Sequence, residues 1–146
     1  MEVGQIDYDL AIAATSRVGA VDGADRLASA MLQDGLEHTD TTLCSRLRAA
    51  AAASQYDYLD QLVTRARTTN APPMSARAYR IAIASTKHYR GWKRAMELFE
   101  WSEADGLRPD LALFNALLGV LAESGQVCAC MWLCAYCMCV CACGRG

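Results

Sequence analysis

The chain has 146 residues, 53% of them hydrophobic and 21% charged, with three prolines and ten glycines. That is room for one ordinary domain or a few small repeats, and it excludes collagen and bulk disorder. Fourteen basic against sixteen acidic residues give a formal charge of −2, so the molecule as a whole is no polycationic binder of nucleic acid or membrane. Any such activity must come from a local asymmetry of charge. Seven of the eight cysteines lie between Cys128 and Cys143, and only Cys44 lies elsewhere, so 1–126 and 127–146 are two unlike parts.

The segment Met1–Asp7 has no basic n-region, apolar run or Arg/Ser-rich amphipathic stretch, and no secretory or transit peptide is expected there. Beyond it, helical periodicity predicts 6–18 and 22–34 as a first pair of helices, with Leu10, Ala13, Ala14 and Val18 on one stripe of the first. A second pair follows at 41–53 and 57–69, and a third at 76–88 and 92–105, where Tyr79, Ile83 and Thr86, then Ala95, Leu98, Phe99 and Ser102, keep the helical spacing. A seventh helix is predicted at 111–123, with no convincing partner after it. Gly19, Ser54, Gly91 and Gly125 separate the helices.

These pairs are copies of one unit. Tyr8, Leu43, Tyr79 and Phe114 are spaced by 35, 36 and 35 residues, and Ile12, Leu47, Ile83 and Leu118 repeat that spacing. Ala24, Leu59 and Ala95, then Leu27, Leu62 and Leu98, then Gly35, Asn70 and Gly106 step by 35 and 36. One extra residue between Asn70 and Tyr79, in the loop Ala71-Pro72-Pro73-Met74, accounts for every series. A single helical hairpin cannot bury its apolar face, so the expected fold is an all-α solenoid of about three and a half helix-turn-helix repeats, near the minimum number for stability. The aromatic positions Tyr8, Tyr79 and Phe114 are expected to be packing anchors rather than stacking platforms.

The segment from Trp92 to Leu118 resembles the pentatricopeptide repeat. Ala95, Leu98 and Phe99, then Gly106, Pro109 and Asp110, then Phe114, Asn115, Leu117 and Leu118 supply the family's pattern across the end of one repeat and the start of the next. The resemblance extends more weakly over 5–126, in units 5–39, 40–75, 76–110 and a partial 111–126. The tetratricopeptide repeat fits the spacing less well, and its W-x-x-L-G-x-x-Y signature is absent.

The resemblance implies binding of single-stranded RNA at about one base per repeat, in organellar RNA processing, stability or translation, and hence a chloroplast or mitochondrial location. It implies hydrogen bonding to a base by the fifth residue of the first helix and the last residue of the repeat. Those pairs are Asp9 with Thr39, Cys44 with Ser75, and Arg80 with Asp110, and Asn115 opens a fourth. The packing position beside the base holds Ile6, Thr41, Arg77 and Ala112. Arg80 is donor-only and suits a phosphate or a base face; Asp9 is acceptor-only and repels the backbone.

Charge partition bears on the same face. First helices, taken as 6–18, 41–54, 76–90 and 111–124, hold seven basic residues against three acidic ones, whereas second helices hold five against nine. First helices line the groove in the family, so the positive charge falls where phosphate is expected. Arg77, Arg80 and Lys87 are expected to carry most of the affinity, because 76–90 holds no acidic residue. The rival expectation is a protein-binding scaffold of tetratricopeptide type, with a peptide in the groove. No catalytic constellation is visible, and no enzyme activity, cofactor, metal, membrane or small-molecule substrate is expected. His38 and His88 have no second ligand at helical spacing.

The tail has C-x-C at 128/130 and from 137 to 143, and C-x-x-C at 134/137, without the paired spacing of a zinc site. It is too rich in Trp132, Tyr136 and Met for a metallothionein-like cluster, and Cys and Ala make it too weakly hydrophobic for a membrane span. Alternation of Cys with Val, Ala, Met and Tyr is what a TG-rich simple repeat yields on translation. The favoured reading is therefore intron read-through or a frameshift, not a domain.

Overall fold

The computed structural model describes residues 3–69, 74–88, 91–126, 128, 131, 132 and 134–136. Among the described residues the main helices run in chain order: α1 (Gln5–Arg17), α2 (Val21–Gln33), α3 (Asp40–Ala52), α4 (Tyr56–Thr69), α5 (Ala76–Thr86), α6 (Gly91–Ala104) and α7 (Leu111–Glu123). Among the described residues there is no strand. The architecture is the all-α array of helical hairpins that the 35-residue spacing predicts, with helix bounds within two residues of those read from periodicity. The predicted turn at Asn70, the loop 71–73 and residues 89–90 lie outside the described residues, as does most of the tail.

The helices end alike for a local reason. After α1, α3 and α7 a residue in the left-handed region closes the turn: Gly19 at φ +68°, Ser54 at +57° and Gly125 at +69°. The amides beyond fold back five residues, Ala20 to the Thr15 carbonyl, Gln55 to Ala50 and Gln126 to Leu121, at 3.0, 2.9 and 3.0 Å. This doubly bonded stop satisfies carbonyls a helix end would leave open. The same closure follows α2 at Gly35 and α6 at Gly106. Each following first helix starts on a side-chain cap. Thr39 accepts from the Thr42 amide at 3.4 Å, Ser75 from Ala78 at 3.2 Å and Asp110 from Leu113 at 2.7 Å. Stop and start therefore recur at fixed places in the repeat, and the helix phase recurs with them.

Two compact units divide the chain, Met1–Ala82 and Ile83–Gly146. In the first, α1 packs on α2 and α3, and α3 packs on α2 and α4. Tyr8, Ile12, Ala24, Ala28 and Met31 meet Ala49 in its core. Leu43, Leu47, Leu59 and Leu62 are buried as their repeat positions require. Arg46 crosses from α3, its Nε donating to Asp25 Oδ1 at 3.0 Å and its Nη2 to the Tyr58 hydroxyl at 2.9 Å. The Tyr58 hydroxyl in turn donates to Asp25 at 2.6 Å, so one polar knot ties α2, α3 and α4.

In the second unit α6 packs on α7, with Phe99 and Phe114 at a centroid distance of 5.5 Å. Residues 128, 131, 132 and 134–136 are helical. The Tyr136 ring lies 6.4 Å from Phe99 and 6.2 Å from Phe114, stacks on Trp132 at 5.4 Å, and its hydroxyl donates to Glu103.

Tyr8, Tyr79 and Phe114 are buried, as packing anchors are. One expectation is corrected. Leu10 and Val18 are 65% and 79% exposed, and α1 buries Tyr8, Ile12 and Ser16 instead. The first helix carries apolar residues on more than one side, so periodicity within it does not choose a face; contact with α2 and α3 does. Leu118 likewise is half-buried, with Leu117 and Leu121 in the core of α7.

Ser54 is the one described residue other than glycine in the left-handed region, at a position where Gly19 and Gly125 stand in other repeats. An L-residue there costs about 1 kcal/mol relative to glycine. Ser54→Gly should raise stability by roughly that amount, read as a higher thermal or urea midpoint, whereas Gly19→Ala should lower it, because an L-residue is strained at φ +68°.

Candidate nucleic-acid interface

The residues that the resemblance assigns to base reading lie on α1, α3, α5 and α7 and at the caps between repeats. In the first unit they meet in pairs, but through intermediaries. Thr42 Oγ1 donates to Asp9 Oδ1 at 2.8 Å and lies 3.2 Å from Thr39 Oγ1. One repeat further on, Ser75 Oγ donates to Asp40 Oδ1 at 2.6 Å, and the Cys44 thiol approaches the same oxygen at 3.6 Å. Asp9 with Thr39 and Cys44 with Ser75 are thus brought together, the first pair by Thr42 and the second by Asp40.

Neither mediator stands out in a search for base readers, since each lies one or more positions from the expected sites. The signal for Asp40 was its spacing. It precedes Cys44 by four residues, one helical turn on the same face, and precedes Ser75 by 35, one repeat. Thr39, Ser75 and Asp110 are the N-caps of α3, α5 and α7, so the last residue of each repeat already has a structural duty.

Electrostatics separate the members of this row. Burial pushes the Cys44 thiol up to about 11, helped by the nearby Asp40 carboxylate and opposed by the Arg77 charge. A buried, protonated thiol is a poor reader of a base edge and a poor nucleophile. On α1, the Tyr8 phenol is pushed up chiefly by the hydrogen bond it donates to the Asp34 carboxylate.

Of the basic residues on first helices, Arg17, Arg48 and Arg77 are exposed and Arg80 is half-buried. Arg77 and Arg80 lie three residues apart on one face of α5, and among the described residues neither has an ion-pair partner. Two of the seven basic residues counted on first helices are already paired. Arg46 turns into the Asp25–Tyr58 knot with its side chain only 17% exposed, because its length lets it span to α2 and α4. Lys87 Nζ lies 3.5 Å from Glu123 Oε1, so the absence of acid in 76–90 does not leave Lys87 unneutralised. Arg90, also counted in that segment, lies outside the described residues. Asn115 and Asp110 are exposed. No group of three or more potential metal ligands converges among the described residues, and none of their helices is long and apolar enough to cross a membrane.

No protein-family profile matches the chain, and no curated protein matches its sequence. Among solved structures, the crystal structure of nuclear proteinaceous RNase P 2 (PRORP2) from A. thaliana shares 21% identity at a TM-score of 0.68, over 86% of this chain and 29% of that one. A second structure of the Arabidopsis thaliana nuclear protein-only RNase P 2 shares 20% identity at a TM-score of 0.74, over 93% of this chain and 31% of that one. The chain therefore spans less than a third of the length of those proteins. What the likeness shows is the fold, an α-solenoid of helical hairpins, and it agrees with the pentatricopeptide-like architecture the sequence resembles.

The shifted thiol has a measurable consequence. At pH 8, peptide-level alkylation of the native, reduced chain should label Cys44 at least tenfold more slowly than the urea-unfolded chain, the thiolate fraction falling about tenfold per unit of pKa. The fold favours the protonated thiol. Its contribution to stability is therefore full below the ordinary value of 9.0 and is lost as pH rises toward about 11.

Proposed function

We propose that the chain is a single-stranded RNA-binding module, held to phosphate by the first-helix face and serving RNA processing, stability or translation as part of a longer protein. The observation that carries this reading is the pair Arg77 and Arg80, two cations on one face of α5 without an ion-pair partner among the described residues. They occupy the repeat positions of Ile6 and Asp9 on α1 and of Thr41 and Cys44 on α3. The resemblance to pentatricopeptide repeats supports it, as does a fold shared with proteins named as RNases. Nothing in it requires an organelle, and the solved neighbours are named as nuclear proteins. The repeats of 1–126 do the binding and perform no chemistry themselves.

In this reading phosphate contacts outweigh base contacts. Thr42 and Asp40 already engage Asp9, Cys44 and Ser75, and a base edge would have to displace those bonds. Arg77 and Arg80 face no such competition.

The test is binding of mixed-sequence single-stranded RNA by the full, reduced chain across a salt series. Each phosphate contact removed should lower the slope of log affinity against log salt by about 0.7. Arg77→Ala and Arg80→Ala should each weaken binding to all sequences alike. Asp9→Ala and Cys44→Ser should change affinity little. Unchanged affinity and slope in both arginine variants would overturn the electrostatic account. Absence of RNA binding at low salt, with capture of a peptide in the groove instead, would favour a protein-binding scaffold of tetratricopeptide type.

A further inference from the structure

A cleft of about 200 Å³ opens in the first unit between the C-terminal halves of α2 and α4, with α3 as its floor. Leu32, Leu43, Leu62 and Ala66 supply an aliphatic lining, and Arg46, Arg65 and His38 supply the polar groups around it. None of the lining residues is acidic, and none is Phe, Tyr or Trp. Arg77 and Arg80 are not among them, so the cleft is separate from the face described above.

The charge in the cleft is only partly spent. Arg46 uses Nε on Asp25 and one Nη2 hydrogen on Tyr58, which leaves three of its five donors uncommitted. Arg65 is exposed and has no ion-pair partner among the described residues. The His38 ring is held at Nε2, 3.0 Å from the Ala28 carbonyl, which fixes its tautomer and turns Nδ1 away from that bond. Leu32, 54% exposed on the rim, is an apolar side chain that the fold leaves uncovered.

We infer that this cleft is a docking site for an acidic protein segment, one that buries a single apolar side chain against Leu32, Leu43 and Leu62 and places flanking carboxylates on Arg65 and Arg46. Size favours a side chain over a cofactor, since pockets for drug-sized ligands run to about 300–1,000 Å³. The lining favours protein over nucleic acid, because it offers no Phe, Tyr or Trp face for a base to stack on, and Leu32, Leu43, Leu62 and Ala66 form an aliphatic surface suited to an apolar side chain. Charge complementarity selects an anionic partner, and the planar fork of arginine matches the carboxylates that would flank an apolar side chain in a protein segment. The chain would then join RNA on its first-helix face to an acidic partner bound between α2 and α4.

The experiment uses the full, reduced chain and fluorescent peptides Asp-Asp-X-Asp-Asp, with X as Leu, Phe or Met, followed by anisotropy. At least one should bind saturably, and the same peptide with Ser at X, or with Lys in place of Asp, should bind at least fivefold more weakly. Arg65→Glu and Leu32→Ser, both at exposed positions, should weaken binding about tenfold, the scale of one lost charge-assisted contact or one uncovered apolar anchor. Both should leave RNA affinity unchanged, which separates this outcome from that of the RNA reading. The inference is overturned if none of the three peptides saturates, if the control peptides bind as well, or if both variants bind like the unaltered chain. It is overturned too if Arg65→Glu lowers RNA affinity with peptide binding intact, since the cleft would then be a nucleic-acid contact. The control peptides test the unaltered chain, so the inference is exposed to failure even if a variant folds poorly.

Discussion

A helical hairpin of about 30 residues has one apolar face too many, and only a neighbour in the same phase can cover it. That phase is kept by the chain's stops and starts. Each first helix after α1 begins on a hydroxyl or carboxylate cap, at Thr39, Ser75 or Asp110, and the closures after α1, α3 and α7 fold back on a left-handed residue. Because these features recur at 35 or 36 residues, Tyr8, Leu43, Tyr79 and Phe114 arrive at equivalent buried positions. A one-residue slip would turn a helix by about 100° and move each of them off the core face.

The same constraint limits what the repeat boundary can do for RNA. A residue that caps a helix spends an acceptor on a backbone amide, and in this chain the cap positions coincide with those the resemblance assigns to base reading. Ser75 shows the conflict most clearly. Its oxygen accepts from the Ala78 amide while its hydrogen goes to Asp40. Affinity built on such residues must replace existing bonds one for one, with little net gain, whereas an arginine with no partner exchanges only water and counterions. In the proposed RNA-binding role, base preference and affinity would fall to different residues.

The fold was legible in the sequence because it rests on spacing, and spacing survives with modest local detail. Seven helix spans and the packing roles of Tyr79, Ile83, Leu98 and Phe99 followed from it. The direction of long polar side chains did not. Arg46 and Arg80 both read as basic residues on first helices, yet Arg46 reaches Asp25 across a helix boundary and Arg80 does not. Charge summed by helix cannot separate them, since an arginine can span to either neighbour. Nor could a count confined to 76–90 find Glu123, which neutralises Lys87 from the next first helix. The mediators Thr42 and Asp40 escaped for a related reason: their roles depend on which side chain of the adjacent repeat comes within 3 Å.

The tail shows how far packing constrains a sequence whose composition points elsewhere. Its alternating Cys, Ala, Val and Met carries the mark of a simple repeat, and such a segment has no designed face. It does have few charges, and Phe99 on α6 and Phe114 on α7 form a ring pair for it to meet. The described helical residues after α7 are anchored by Tyr136, its ring against Phe99 and Phe114 and its hydroxyl on Glu103. Aromatic contacts of this kind are worth about 0.5–1.5 kcal/mol each beyond burial. A composition like that of a translated simple repeat and a place for Tyr136 against α6 and α7 are therefore compatible. The slot asks for an uncharged helix with a ring at one position, which is far less than the interior repeats ask of theirs.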